Sequence, residues 1–153
     1  MELKKVGVSD RLKLYNLMQK YLYELSAYYD IPMDENGDFI YKYFETYFTE
    51  PARSAYFFVN EGKTVGFCLI NDYSFTAKKA DNNVAEFTVF PVFRNRGLGE
   101  EAVRLLKQER QGSWQLKFSE NNRAAAAFWR KIGRKYNGKE LALPGGETAL
   151  SFE

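Results

Sequence analysis

The segment Glu86-Phe-Thr-Val-Phe-Pro-Val-Phe-Arg-Asn-Arg-Gly-Leu-Gly99 decides how the rest of the chain is read. Its first half is an apolar, β-branched run ending at Pro91, which reads as a strand. Three residues on, Arg94 opens an Arg-x-x-Gly-x-Gly turn containing Gly97 and Gly99. Leu98, Ala102, Leu105 and Leu106 then recur at helical spacing, while Glu100, Glu101, Arg104, Lys107 and Glu109 mark a wet face. Strand, short basic glycine turn and helix thus follow one another directly. The first-turn amides of such a helix have no intrahelical acceptor and lie at the positive end of its dipole. They form a ready anion site. Gly97 and Gly99 let an anion approach backbone that a Cβ would shield. Arg94 and Arg96 add charge and forked donors. The turn, Asn95, Leu98 and Glu100 included, reads as a cradle for a diphosphate, or else as a plain strand-to-helix connection.

Two other phosphate loops do not fit. The Gly-x-Gly-x-x-Gly dinucleotide pattern would need glycine where Ala102 stands, and its downstream acidic strand end is missing. A Walker loop needs Gly-Lys-Ser or Gly-Lys-Thr, and the chain has neither.

Composition narrows the chemistry. A chain of 153 residues, 45% hydrophobic and 27% charged, suits one soluble α/β domain spanning 1–153. A formal charge of +2 gives no reason to expect a nucleic-acid partner. No apolar stretch is long enough to span a membrane, and Met1-Glu-Leu-Lys-Lys lacks the apolar run of a secretory signal. A lone Cys68 fits a reducing compartment, so the expected location is cytoplasmic. With no histidine, Ser-His-Asp and Cys-His mechanisms and histidine metal sites are excluded. Catalysis must draw on carboxylate, tyrosine, backbone or water. The 11 Tyr and 13 Phe suit core packing, and a surplus of Tyr also suits a pocket for an amine or an aromatic ring.

Along the chain, residues 2–6 read as a short strand. Ser9-Asp10 then caps a helix whose apolar face runs Leu12, Tyr15, Met18, Leu22, Leu25 and Tyr29 until Asp30-Ile-Pro32 stops it. An aromatic segment from Phe39 to about Phe48 reads as a second helix. Strands at 55–59 and 64–70 flank a hairpin signal at Asn60-Glu-Gly62-Lys. A polar span from Asn71 to Asn82 leads into the strand carrying Glu86. Further on come a strand at Trp114–Phe118, a helix, and a closing hairpin of Leu141–Leu143 and Thr148–Phe152 around Pro144-Gly-Gly146.

Val89, Pro91, Arg94, Gly97 and Gly99 fill every position of the acetyl-coenzyme A loop of the GNAT superfamily of N-acetyltransferases, which the chain resembles. That pattern is a strand ending Val-x-Pro, followed by Arg or Gln-x-x-Gly-x-Gly or Ala. Asn122-Arg-Ala-Ala125-Ala-Ala-Phe128-Trp129 is similar to a second family pattern, Asn-x-x-Ala-x-x-aromatic-aromatic, on the next helix. The resemblance implies a mixed, mostly antiparallel sheet of six to seven strands with about four helices, strands four and five splaying apart.

It also implies a function. Acetyl-coenzyme A would lie in the splay, its pantetheine arm bonded to backbone at Phe87 and Val89. A main-chain amide, that of Phe87, would hold the oxyanion of a tetrahedral intermediate. The acceptor is expected to be a primary amine of a small molecule. The alternatives are a protein or peptide amine, or a module that binds coenzyme A without transfer. Glu86, a carboxylate in an apolar strand, is the candidate base or substrate-orienting group, with burial raising its pKa. The family commonly places Tyr where this chain has Trp129, and an indole N–H cannot serve as the general acid. Trp129 lines the channel or bonds the sulfur instead, and the acid is unassigned, with Tyr136 the nearest tyrosine. Asn122 caps its helix, touches the coenzyme, or does both; Phe128 is core or channel wall. The acceptor site is expected from Tyr21, Tyr28, Tyr41, Tyr43 and Tyr73, with Glu24 and Asp30 available to a cationic amine. The assembly is expected to be a monomer or homodimer.

Overall fold

A computed structural model describes residues 1–153. The chain runs β1 (Glu2–Lys5), a 3-10 turn, α1 (Arg11–Leu25), α2 (Thr46–Thr49), β2 (Ser54–Asn60), β3 (Lys63–Asn71) and β4 (Asn82–Val89). A second 3-10 turn leads to α3 (Leu98–Glu109), β5 (Trp114–Ser119), α4 (Arg123–Lys135), β6 (Lys139–Leu143) and β7 (Glu147–Phe152). The strands form one seven-stranded sheet in the order β1-β2-β3-β4-β5-β7-β6, in which only β4 and β5 run parallel. This matches the expected mixed sheet.

Strand alternation divides the core into two layers. Ala55, Phe57, Phe67 and Leu69 face α1 and α2, where they meet Leu14, Met18, Leu22, Phe44 and Tyr47. Tyr56, Phe58, Cys68 and Ile70 face α3 and α4, meeting Val103, Leu106, Ala126, Trp129 and Ile132. Phe57, Phe58 and Phe67 have no exposed surface, and each fully buried side chain of this size is worth roughly 2–3 kcal/mol. The hairpin between β2 and β3 turns through Glu61 (φ 51°) and Gly62 (φ 75°), two left-handed residues that match strand twist.

Two expectations are corrected. The first helix buries Met18 and Leu22 and packs Tyr15 and Leu25 against the core as expected, but Leu12 is 68% exposed and the buried residue of that first turn is Leu14. This helix ends at Leu25, four residues before Tyr29. The segment 39–48 is not a helix: Phe39 forms an isolated bridge to Met33, and only Thr46–Thr49 makes a helical turn. Its backbone makes a run of i to i+3 hydrogen-bonded turns from Tyr41 to Phe48, and with Phe44 edge-on to both Tyr15 and Phe48 these give helical periodicity without one continuous helix.

Candidate active site

β4 and β5 pair only at Asn82–Val84 against Trp114–Leu116, although β4 continues to Val89 and β5 to Ser119. Beyond Val84 they diverge. The cause lies on the other side of β4, where Ile70 pairs with Val84 but Leu69 pairs with Glu86. Ala85 is therefore an extra residue, a β-bulge, which bends the strand and increases its twist. The bulge also resets the alternation. Val84 and Phe87 pack on the α3–α4 layer, whereas Ala85 packs on the α1 layer and Glu86 meets Tyr21 of α1. With regular alternation Glu86 would share the face of Val84 and enter an apolar core.

Glu86 instead opens onto a cavity of about 790 Å3 between the diverging strands. The Tyr21 hydroxyl donates to its Oε2 at 2.5 Å. Burial pushes the Glu86 carboxyl up to about 7, against the opposing pull of hydrogen bonds from Tyr21 and Tyr41 and of the Lys117 charge. Burial and the neighbouring carboxylate raise both tyrosines, so they stay protonated donors. One phenol of α1 thus holds the candidate base, which neighbours the candidate oxyanion donor in sequence.

At the other end of the cavity the turn before α3 has unusual backbone. Asn95 (φ 60°) and Gly97 (φ 76°) are left-handed, and successive amides from Asn95 to Glu100 donate to no protein acceptor. Such a concave run of amides at a helix start binds anions. The two glycines serve different ends. Gly97 has open space around its missing Cβ and is required by its φ; a Cβ on Gly99 would come within 2.9 Å of the Phe128 ring. Gly99 therefore lets α3 and α4 approach, a packing role in addition to its place in the cavity lining.

Arg94 is engaged by the protein. Its Nε donates to the Val89 carbonyl at 2.6 Å, and its Nη2 pairs with Glu24 of α1 at 2.6 Å. It pins the loop to β4 and α1, and it also closes the Glu24 carboxylate expected to be available to an amine. Arg96 is exposed beside the free amides. The Glu100 carboxylate at this helix start is neutralised by Lys131 of α4 at 2.6 Å, so it does not repel an anion. Asn122 caps α4, accepting from the Ala125 amide at 3.2 Å, and its side chain also lines the cavity. Phe128 and Trp129 pack against Phe87 with ring centroids 5.6 Å and 5.0 Å away, walling the cavity between the strands.

The acceptor side departs in part from expectation. Tyr21, Tyr28 and Tyr41 line the cavity. Tyr43 and Tyr73 do not: their rings flank the Arg53 guanidinium at 5.0 Å and 5.3 Å, a cation–π arrangement beyond the cavity wall. Asp30 is likewise absent from the lining. Tyr29, which the sequence places on a helix face, turns out to belong to the site. The Tyr29 hydroxyl donates to Glu147 of β7 at 3.0 Å, and Lys117 of β5 donates to the same carboxylate at 3.2 Å. The segment after α1 is thereby tied across the gap to the far half of the sheet. No local signal foretells a bond between residues so distant in sequence.

Free backbone amides at one end of the cavity, and an unpaired reach of β4 along its side, fit an elongated ligand with a diphosphate at one end and amides along its arm. The acetyltransferase (GNAT) family model matches residues 12–133. No match was found among curated protein sequences. Solved structures share the fold. An acetyltransferase from Thermus thermophilus superposes with a TM-score of 0.71 at 18% identity, covering 99% of this chain and 96% of that one. The PaiA N-acetyltransferase from Thermoplasma acidophilum, in complex with coenzyme A, gives 0.63 at 13% identity, covering 99% and 98%. Arabidopsis thaliana Naa50, in complex with the bisubstrate analogue CoA-Ac-MVNAL, gives 0.62 at 12%, covering 99% and 97%. With its family model spanning most of the sequence and its sheet splayed at β4 and β5, this chain belongs to the GNAT family and is an acetyltransferase that uses acetyl-coenzyme A.

Proposed function

We propose that the acceptor is a primary amine of a small molecule, with Glu86 as its base, and that residues 1–153 act as one domain. The observation that carries this reading is a single cavity joining the free amides of residues 95–100 to the Glu86 carboxylate. Acetyl-coenzyme A supplies an activated acetyl thioester. The chain's own groups do the rest. Amides from Asn95 to Glu100 hold the diphosphate, and backbone at Phe87 and Val89 holds the pantetheine arm in the place a paired β5 would take. Asn122, Phe128 and Trp129 line that channel, and the exposed Arg96 lies outside its wall, where it can meet the diphosphate from the solvent side.

An alkylamine arrives as ammonium and cannot attack until it loses a proton. Glu86, held near neutrality, takes that proton at Oε1 or Oε2 and passes it to solvent. A second proton leaves the nitrogen as the new amide forms and departs with the thiol of coenzyme A. The Phe87 amide is the proposed donor to the thioester carbonyl oxygen. Tyr21, hydrogen-bonded to Glu86, keeps the carboxylate in place. Trp129 has no ionisable proton, so thiol release relies on proximity and on water or phenol.

A second reading, acetylation of a peptide amine, draws on the fold likeness to the enzyme bound to CoA-Ac-MVNAL. The tie from Tyr29 to Glu147 across the gap weighs against it, since a peptide needs an open groove. The buried Cys68 thiol supports a reducing, cytoplasmic setting; no helix is long and apolar enough to cross a membrane. The test is thiol release with amine acceptors by the wild type and Glu86→Gln. Turnover should fall ~100-fold or more with acetyl-coenzyme A affinity preserved. Unchanged turnover would dismiss Glu86 as the base.

A further inference from the structure

The charged side chains that line the cavity are Glu24, Glu86, Arg94, Glu100, Lys117 and Lys131. All except Glu86 are in ion pairs. Glu24 pairs with Arg94 at 2.6 Å, Glu100 with Lys131 at 2.6 Å, and Lys117 with Glu147 at 3.2 Å. Every cation of the lining already has a carboxylate partner, and Glu86 is the one charged side chain there without an ion pair, although the Lys117 charge still reaches it. Tyr21, Tyr28, Tyr29, Tyr41, Ile31 and Ile40 line the same cavity, with the Tyr21 hydroxyl bonded to Glu86.

Resting on the reading of the site as an amine acetyltransferase, we infer that the acceptor is a hydrophobic monoamine, an arylalkylamine or a branched alkylamine carrying no carboxylate. A bound ammonium finds one partner of opposite charge, Glu86, together with tyrosine faces that attract cations. An apolar body finds aromatic and aliphatic walls, whose burial drives its binding. A carboxylate on the same substrate would be taken out of water with no unpaired cation to meet it, a heavy desolvation cost. A polyamine would need a second free carboxylate, and Glu24 and Glu147 are both engaged. The tie from Tyr29 to Glu147 limits the length of the acceptor as well.

Phenethylamine and phenylalanine form a matched pair that differs by one carboxylate. Thiol release from acetyl-coenzyme A should give phenethylamine a kcat/KM at least ~100-fold above that of phenylalanine, and above those of spermidine and a pentapeptide. The Glu147→Gln variant frees Lys117 toward the cavity, so its preference for phenethylamine over phenylalanine should narrow markedly. Phenylalanine, spermidine or the peptide turning over as well as phenethylamine would overturn the inference while leaving the enzyme an amine acetyltransferase. A ratio unmoved in Glu147→Gln would overturn the electrostatic argument behind it. Turnover of none of these, in protein that binds acetyl-coenzyme A, would overturn the amine reading and this inference together.

Discussion

Replacing Glu86 with Gln should make the protein more stable than the wild type, by a margin that grows as pH rises. In the folded chain the carboxyl titrates at about 7, against an ordinary value of 4.5. Below about pH 4.5 both folded and unfolded chains carry the proton, and the group imposes no penalty. Between those values the unfolded chain has lost its proton and the native chain has kept it, so stability falls by up to ~1.4 kcal/mol per pH unit. Above about pH 7 both are ionised and the penalty levels off near ~3 kcal/mol. Gln keeps the shape and an oxygen that can accept from Tyr21 and Tyr41, but it cannot ionise. Urea denaturation of both proteins at about pH 5 and about pH 8.5 isolates the effect, since other titrating groups are shared. The wild type should lose ~2.5 kcal/mol relative to Glu86→Gln between the two conditions. Parallel pH dependence of the two proteins would show that Glu86 is not held in the protonated form by burial, and the account of its basicity would fail.

Two further predictions concern its neighbours. Tyr21→Phe removes a donor that pulls the Glu86 pKa down, so the acid limb of the pH–rate profile, near 7 in the wild type, should move to higher pH while the alkaline plateau persists. An unmoved limb would separate Tyr21 from the base. Gly99→Ala forces a methyl to within 2.9 Å of Phe128, which should destabilise by ~1–3 kcal/mol and lower the thermal midpoint by several degrees. A midpoint equal to the wild type's would mean that α3 and α4 are not closely packed there.

The strand–turn–helix at 86–109 was legible because local rules suffice for it: an apolar run, Pro91, a left-handed glycine and an amphipathic repeat. The loop amides follow from those alone. What escaped depends on long-range packing. The bulge at Ala85 comes from the pairing of β3 with β4 and has no sequence mark, yet it decides which face receives Glu86. Arg94 reads as a ligand group in the sequence because its partner Glu24 lies 70 residues away. Tyr43 and Tyr73 group with the acceptor tyrosines by residue type, and Arg53 claims both. The face of α1 is legible at Tyr15, Met18, Leu22 and Leu25, whereas Leu12 lies at the edge of that row, where an apolar residue can remain exposed.

The central claim is that the amides from Asn95 to Glu100 cradle the diphosphate of acetyl-coenzyme A. Isothermal titration of acetyl-coenzyme A into the wild type and Gly97→Asp tests it most directly. Gly97 is left-handed with open space around it, so Asp there costs local strain and sets a carboxylate beside the cradle. The account predicts binding at roughly micromolar Kd in the wild type and at least ~100-fold weaker binding in a variant whose thermal unfolding remains cooperative. Equal affinity in both proteins, or no binding by the wild type, would contradict it.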